Sequence, residues 1–310
     1  MHSASGQQFS LSLRTEIGEI AAVISEVGGA LRSLQVDGHE FCEPGNPDSV
    51  SPFCEGIVMA PWPNRLDGGT WQYEGRALEV PITIHSQQNA NHGLLVNYPY
   101  KVLNQTASKV TLVAAITPTV GYPFLVETTV TYELVSTGLK VTHTAINHSK
   151  VAAPYAVGGH PYFRFSGVDT GDVFLRSDAE TILILNERQI PVGTMPTANS
   201  DFDLRSGVRV ADHFIDNDFT DLPRDSSGLA HTYLTAPDGR SIDIWQDETF
   251  KHIVVFTPDF YFQNSGDPKS YAVAIEPQTA AANALNTGDD LIWLETGRPF
   301  AASWGVSFNL

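Results

Sequence analysis

A chain of 310 residues, 42% of them hydrophobic, has material for one large core or two ordinary ones. Its 18 Lys and Arg stand against 35 Asp and Glu, a net charge of −17. Such a surface repels phosphate backbones and anionic lipid, so no nucleic-acid or membrane partner is expected. The two cysteines, Cys42 and Cys54, have neither C-x-x-C nor zinc-ligand spacing, and nothing in the spacing demands a disulfide. The first ten residues carry no basic n-region and no apolar h-region. No apolar run approaches the ~18–20 residues needed to span a bilayer. A cytoplasmic protein is expected.

The dominant period is two. Phe9-Ser10-Leu11-Ser12-Leu13 alternates from the start. Further on, Val126, Thr128, Val130 and Tyr132 fall on one face of a strand running to Val135. After Ser136-Thr137-Gly138 the run from Leu139 to Ala145 alternates again, and the two together predict a β-hairpin. The stretch from Asn186 to Asp225, with Pro191, Pro196, Asn199 and several Asp, reads as long loops decorating a sheet and lining a pocket. A second hairpin follows, Tyr233 to Ala236 and Ser241 to Trp245 around Pro237-Asp238-Gly239. His252-Ile253-Val254-Val255-Phe256 has the length and composition of a buried strand, and Trp304 to Phe308 forms the last one. Helical periodicity is nearly absent, turn residues are dense, and no linker divides the chain. The expectation is a single all-β domain over residues 1–310, a large antiparallel β-sandwich.

Five segments carry polar groups in unusual settings. Arg65, in Pro61-Trp62-Pro63-Asn64-Arg65, is rigidly presented beside two prolines and can donate forked hydrogen bonds to hydroxyls. His92 lies in Asn91-His92-Gly93-Leu94, a turn-forming context. His160 follows Gly158-Gly159, which permit close approach of the backbone, and precedes Pro161, which biases it to an extended conformation. Asp216 has carboxylate neighbours at Asp212, Asp218 and Asp221, so composition alone does not single it out. Glu276 closes the apolar run Tyr271-Ala272-Val273-Ala274-Ile275. It is either solvated at a strand end or held in a pocket, where burial would raise its pKa toward that of a general base working near neutrality. A His and a Glu facing one small molecule make an acid and a base. Nucleotide, serine-hydrolase and zinc-protease motifs are missing.

The ordered set Asn64-Arg65 with Gly68-Gly69 and Gly75, Asn91-His92-Gly93, His160-Pro161-Tyr162-Phe163, Asp216 with Phe219, and Glu276-Pro277-Gln278-Thr279 resembles the aldose 1-epimerases, or galactose mutarotases, over nearly the whole chain. The resemblance implies a galactose mutarotase-like supersandwich with a monosaccharide in a cleft on its sheet. It implies His160 as general acid and Glu276 as general base, with Arg65, His92, Asp216, Asn64 and Gln278 at the sugar, and no cofactor or metal. The activity implied is interconversion of aldose anomers. A hexose-6-phosphate 1-epimerase would need basic residues clustered at the cleft, and none is visible. A non-catalytic sugar-binding protein would be expected to lose the acid or the base. A glycoside hydrolase would need two carboxylates across the bond and would leave the His160 segment without a role. The sequence leaves the oligomeric state open, monomer or homodimer.

Overall fold

The computed structural model describes residues 3–46, 48–49, 51–261 and 270–310. Among these the strands build a nine-stranded sheet, an eight-stranded sheet and a four-stranded sheet, with three two-stranded ribbons. Among the described residues the strands pair with one another antiparallel, parallel contacts being confined to isolated bridges such as Ala60 with Gly93, and the one α-helix among them is the short Ala284–Thr287. The alternation read from the sequence sets the long hairpin. Val126–Val135 pairs with Gly138–Asn147 in unbroken register, and Val126, Thr128, Val130, Tyr132 and Leu134 are all buried. Pro299–Asn309 pairs on one side with Gly138–Asn147 and on the other with Ser241–Gln246.

One contiguous apolar cluster joins the inner faces of the large sheets. Val130, Val141, Ile244 and Trp304 come from the nine-stranded sheet, and Phe219, Ile253, Val255, Val273 and Ile275 from the eight-stranded one. Each such aliphatic side chain contributes roughly 1.5–3 kcal/mol on burial. That gain offsets the cost of placing polar groups on the opposite face of the same strands. Because side chains alternate along a strand, residues of the other parity in Asp216–Thr220, His252–Phe256 and Val273–Gln278 all point away from this core.

One expectation is corrected. The stretch from Asn186 to Asp225 is not only loop: Pro191–Pro196 pairs with Thr181–Leu185, and Asp216–Thr220 is an interior strand between Thr181–Leu185 and His252–Phe256. Its polar sequence suggests exposure because Asp216 and Asp218 face a cleft and its roof instead of the core.

The glycine pair before His160 is required by packing. A Cβ on Gly159 would come within 2.8 Å of Trp304 Cζ2, and one on Gly158 within 2.9 Å of the Pro277 carbonyl. Trp304 cannot yield easily, since it is buried and its Nε1 donates to His143 Nε2 at 3.1 Å. Gly159→Ala is therefore expected to destabilise the fold by about 1–3 kcal/mol, the usual range for overpacking. Urea unfolding of the variant against the wild type measures this, and an unchanged midpoint would contradict it.

Candidate active site

Antiparallel register lays the site out in rows across the eight-stranded sheet. Asp218, Val254 and Glu276 are directly opposite one another in successive strands, as are Asp216, Phe256, Ala274 and Tyr162. Residues opposite in this way share a face. This face floors a cleft of about 660 Å³, a size that takes a small-molecule ligand. Its walls come from residues 52–54, 83–84 and 91–98, including Phe53, Thr83 and Tyr98. The stretch from Asn186 to Asp225, expected to line the pocket, contributes Asp216 from a strand of the floor.

Glu276 is not a solvated strand end. The strand Val273–Gln278 continues past it, and its side chain is 3% exposed. His160 reaches it from the neighbouring segment: His160 Nε2 lies 3.3 Å from Glu276 Oε1. The imidazole is held by its backbone, with His160 N donating to the Ile57 carbonyl and Gly56 N donating to the His160 carbonyl. It stacks on Tyr162, ring centroids 5.2 Å apart, and Tyr162 stacks in turn on Tyr261. Its Nδ1 is buried with no hydrogen-bond partner among the described residues.

Burial pushes both members of this pair toward their neutral forms. It lowers His160 to about 4, with Arg65 adding to the effect and the His160 backbone opposing it. It raises Glu276 well above the usual carboxylate value, helped by Asp216 and less strongly by Asp218, and opposed by Arg65 and by the Gln278 amide. The two groups are in contact, so the proton occupancy of one bears on that of the other.

Arg65 opens the strand Arg65–Asp67 and is fixed by three acceptors. Nη1 donates to Asn64 Oδ1 at 3.0 Å, Nε to Gln87 Oε1 at 2.9 Å, and Nη2 to Asp216 Oδ2 at 3.3 Å. His92 sits at φ +60° and Gly93 follows at φ +78°, where the residue must be glycine because a Cβ would lie 2.1 Å from the Ala60 carbonyl oxygen. His92 Nδ1 accepts from Asn64 N at 3.2 Å. Burial, with His160 and Arg65 nearby, holds its pKa well below 6.5. The ring is thus neutral with its proton on Nε2, a donor beside the edge of the His160 ring.

The cleft thus gathers His160, Glu276, Arg65, His92, Asp216 and Asn64 along its lining. Gln278, expected at the sugar, is placed differently. It is fully buried behind Glu276, and its Nε2 donates to Glu276 Oε2 at 3.1 Å. Residues after its strand fold back over that end of the face: Asn283 N donates to the Arg65 carbonyl, and Asp290 reaches His252. Among the described residues no group of three or more His, Cys, Asp or Glu is arranged to hold a metal ion. No helix among them is long and apolar enough to cross a membrane. Cys42 and Cys54 are both free.

A family model described as Aldose 1-epimerase matches residues 10–305. The chain belongs to the aldose 1-epimerase family. It is 31% identical over 302 residues to YihR of Escherichia coli (strain K12), an uncharacterized protein, covering 96% of this chain and 92% of that one. Its fold matches a GalM/aldose epimerase homologue from C. elegans with a TM-score of 0.83 at 17% identity, covering 98% and 99% of the two chains. It also matches the galactose 1-epimerase of Lactobacillus acidophilus NCFM with a TM-score of 0.80 at 16% identity, covering 98% of each chain.

Sequence reasoning missed three groups in this aldose 1-epimerase family member: Gln87, Asp218 and His252. Asp218 was legible as the i+2 neighbour of Asp216 on a strand. His252 had a signal in heading an otherwise apolar run. It is buried, with Nδ1 3.0 Å from Asp218 Oδ1 and Nε2 3.1 Å from Asp290 Oδ2. Burial opposes its charge, but Asp218 and Asp290 outweigh that and push it up to about 10. A folded-state pKa above the unfolded value of about 6.5 gives stability that is complete below that value and lost as pH rises through the folded one. The stability gap between wild type and His252→Gln is therefore expected to be flat below pH 6.5 and to shrink from there toward about pH 10. Urea melts of both proteins across this range test it, and a gap that widens with pH would refute it.

Proposed function

We propose that this chain is an aldose 1-epimerase that interconverts the α and β anomers of a free monosaccharide by acid–base ring opening and reclosure. The observation that carries the reading is the His160–Glu276 contact on the floor of a cleft of ligand size. In a pyranose the anomeric oxygen O1 and the ring oxygen O5 are bonded to the same carbon. One acid and one base in mutual contact therefore reach both.

In the reactive form Glu276 is ionised and His160 carries the pair's proton. Glu276 takes the O1 proton, the C1–O5 bond breaks with its electrons going to O5, and His160 Nε2 protonates O5. The aldehyde turns about C1–C2. The O5 hydroxyl then adds to the other face of C1, returning its proton to His160 while Glu276 reprotonates O1. After opening, the pair is neutral on both members, the state that burial favours. The dry floor thus stabilises the enzyme in the ring-opened stage, where charge would otherwise have to be carried. Positioned acids and bases are each worth roughly 10²–10⁴-fold. The neutral His92 supplies an Nε2 donor, and Arg65 with Asp216 supplies a donor and acceptor for ring hydroxyls. Arg65 is the sole Lys or Arg lining the cleft among the described residues, and it is already paired with Asp216. That favours an uncharged aldose over a sugar 6-phosphate.

The test is polarimetry on freshly dissolved pure anomers of hexoses, pentoses and hexose 6-phosphates. Acceleration is expected with an uncharged aldose, and rates no faster than buffer on all of them would refute the reading. His160→Gln and Glu276→Gln are each expected to lose about 10²–10⁴-fold in kcat while remaining folded. Arg65→Ala is expected to raise KM more than it lowers kcat. The pH profile of kcat/KM should be bell-shaped. Its acid limb reports a second proton entering the pair at His160, near pH 4 and below ordinary imidazole. Its alkaline limb reports loss of the shared proton, above the usual carboxylate range because Glu276 is raised.

A further inference from the structure

We propose that His252, clamped between Asp218 and Asp290 beneath the return segment, is a positioning residue for Glu276: its positive charge cancels that of Asp218 on the catalytic floor. The inference rests on the proposed epimerase reading for its rate measurements. The geometry comes from the register. Asp218 shares a row with Glu276, and His252 is directly opposite Gln278 in the next row. Strands about 4.8 Å apart with a rise of ~3.4 Å per residue put Asp218 and His252 each roughly 8–10 Å from Glu276.

The floor presents three carboxylates on one face: Asp216, Asp218 and Glu276. Arg65 pairs with Asp216 at the open end. His252 pairs with Asp218 at the roofed end, where it is 3% exposed. The other titratable groups around Glu276 are His160, Tyr162 and Cys54. Around His252 they are Asp218 and Asp290, the latter also held by Lys251 at 2.8 Å. With both counter-ions in place, each aspartate of the floor has a cationic partner. His252 thus offsets part of the Asp218 field that, with that of Asp216, holds Glu276 raised, and so eases release of its proton in the reaction cycle. Val254 stands between Asp218 and Glu276, so the influence is through charge and not through contact. Gln278, opposite His252 and donating to Glu276, is the short physical link between the two rows.

The test uses Asp218→Asn and His252→Gln, read two ways. The first is the pH profile of kcat/KM, and the second is the ¹⁵N NMR titration of the His160 imidazole, which needs no turnover. Removing the Asp218 charge leaves His252 with Asp290 alone and takes one negative charge off the floor, and both the bell and the His160 titration should move to lower pH by roughly one unit, the effect of one charge at this distance with an effective dielectric of ~20. His252→Gln, which removes the charge offsetting Asp218, should move both to higher pH. A merely structural role lowers the plateau without moving either limb. Failure of Asp218→Asn to shift acid-ward, or failure of His252→Gln to shift the opposite way, overturns the proposal. Should Asp218→Asn fail to fold, Asp290→Asn at the partly exposed edge replaces it. His252 then releases its proton at lower pH, and the pair's loss of its shared proton, read at the alkaline limb and in the His160 ¹⁵N shift, must move up with it; release without movement overturns the proposal. If wild-type protein accelerates no anomer exchange, the epimerase reading fails while the NMR titration still decides this one.

Discussion

A carboxylate and an imidazole touching on a sheet face nearly closed to water is the constraint around which this protein is arranged. Glu276 and His160 are only 3% and 5% exposed at the floor of the cleft. An isolated buried charge is costly, so each group must be neutral, paired or compensated. Three neighbouring pairings answer that requirement. Gln278 gives Glu276 a donor, Arg65 and Asp216 offset each other, and the buried Asp218 is met by His252. The same requirement bears on the chemistry, because the ring-opened stage of the proposed reaction is the one in which both groups are neutral.

The sheet makes this arrangement stable. In the strands that carry the acidic side chains, one parity packs into a core shared with the nine-stranded sheet, and the other faces the cleft. The apolar half gains what the polar half costs. A slip of one residue in register would exchange the two faces, sending Glu276 into the core and Ile275 to the cleft. Function and fold are therefore specified by the same alternation. The second fixed element is the close approach at Gly158-Gly159, where backbone against Trp304 and Pro277 leaves no space for a side chain and so sets the height of His160 above the floor.

Local pattern made the antiparallel architecture legible, because period-two alternation and turn residues act over a few neighbours. The hairpin from Val126 to Asn147 is recovered with its buried face, and so is the strand from His252 to Phe256. The segment around Asp216 was misread as loop, since acidic residues imply exposure when the surroundings are unknown. Glu276 left both outcomes open for the same reason. Gln278 was expected at the sugar from the resemblance that its motif carries, and its parity places it two residues along the same face, under the roof formed by the return segment ending at Asp290.

The sequence by itself determined the strand periodicity, the positions of the turns and the order of the polar segments that mark the family. These depend on short-range sterics and on the chemistry of single residues. Only the tertiary structure decided which polar groups meet. The His160–Glu276 contact, the Arg65–Asp216 pair and the Asp218–His252–Asp290 clasp join residues far apart in the chain or on different strands. Their ionisation follows from burial and from neighbours brought in by the sheet, and no local pattern of residues encodes a distance across strands.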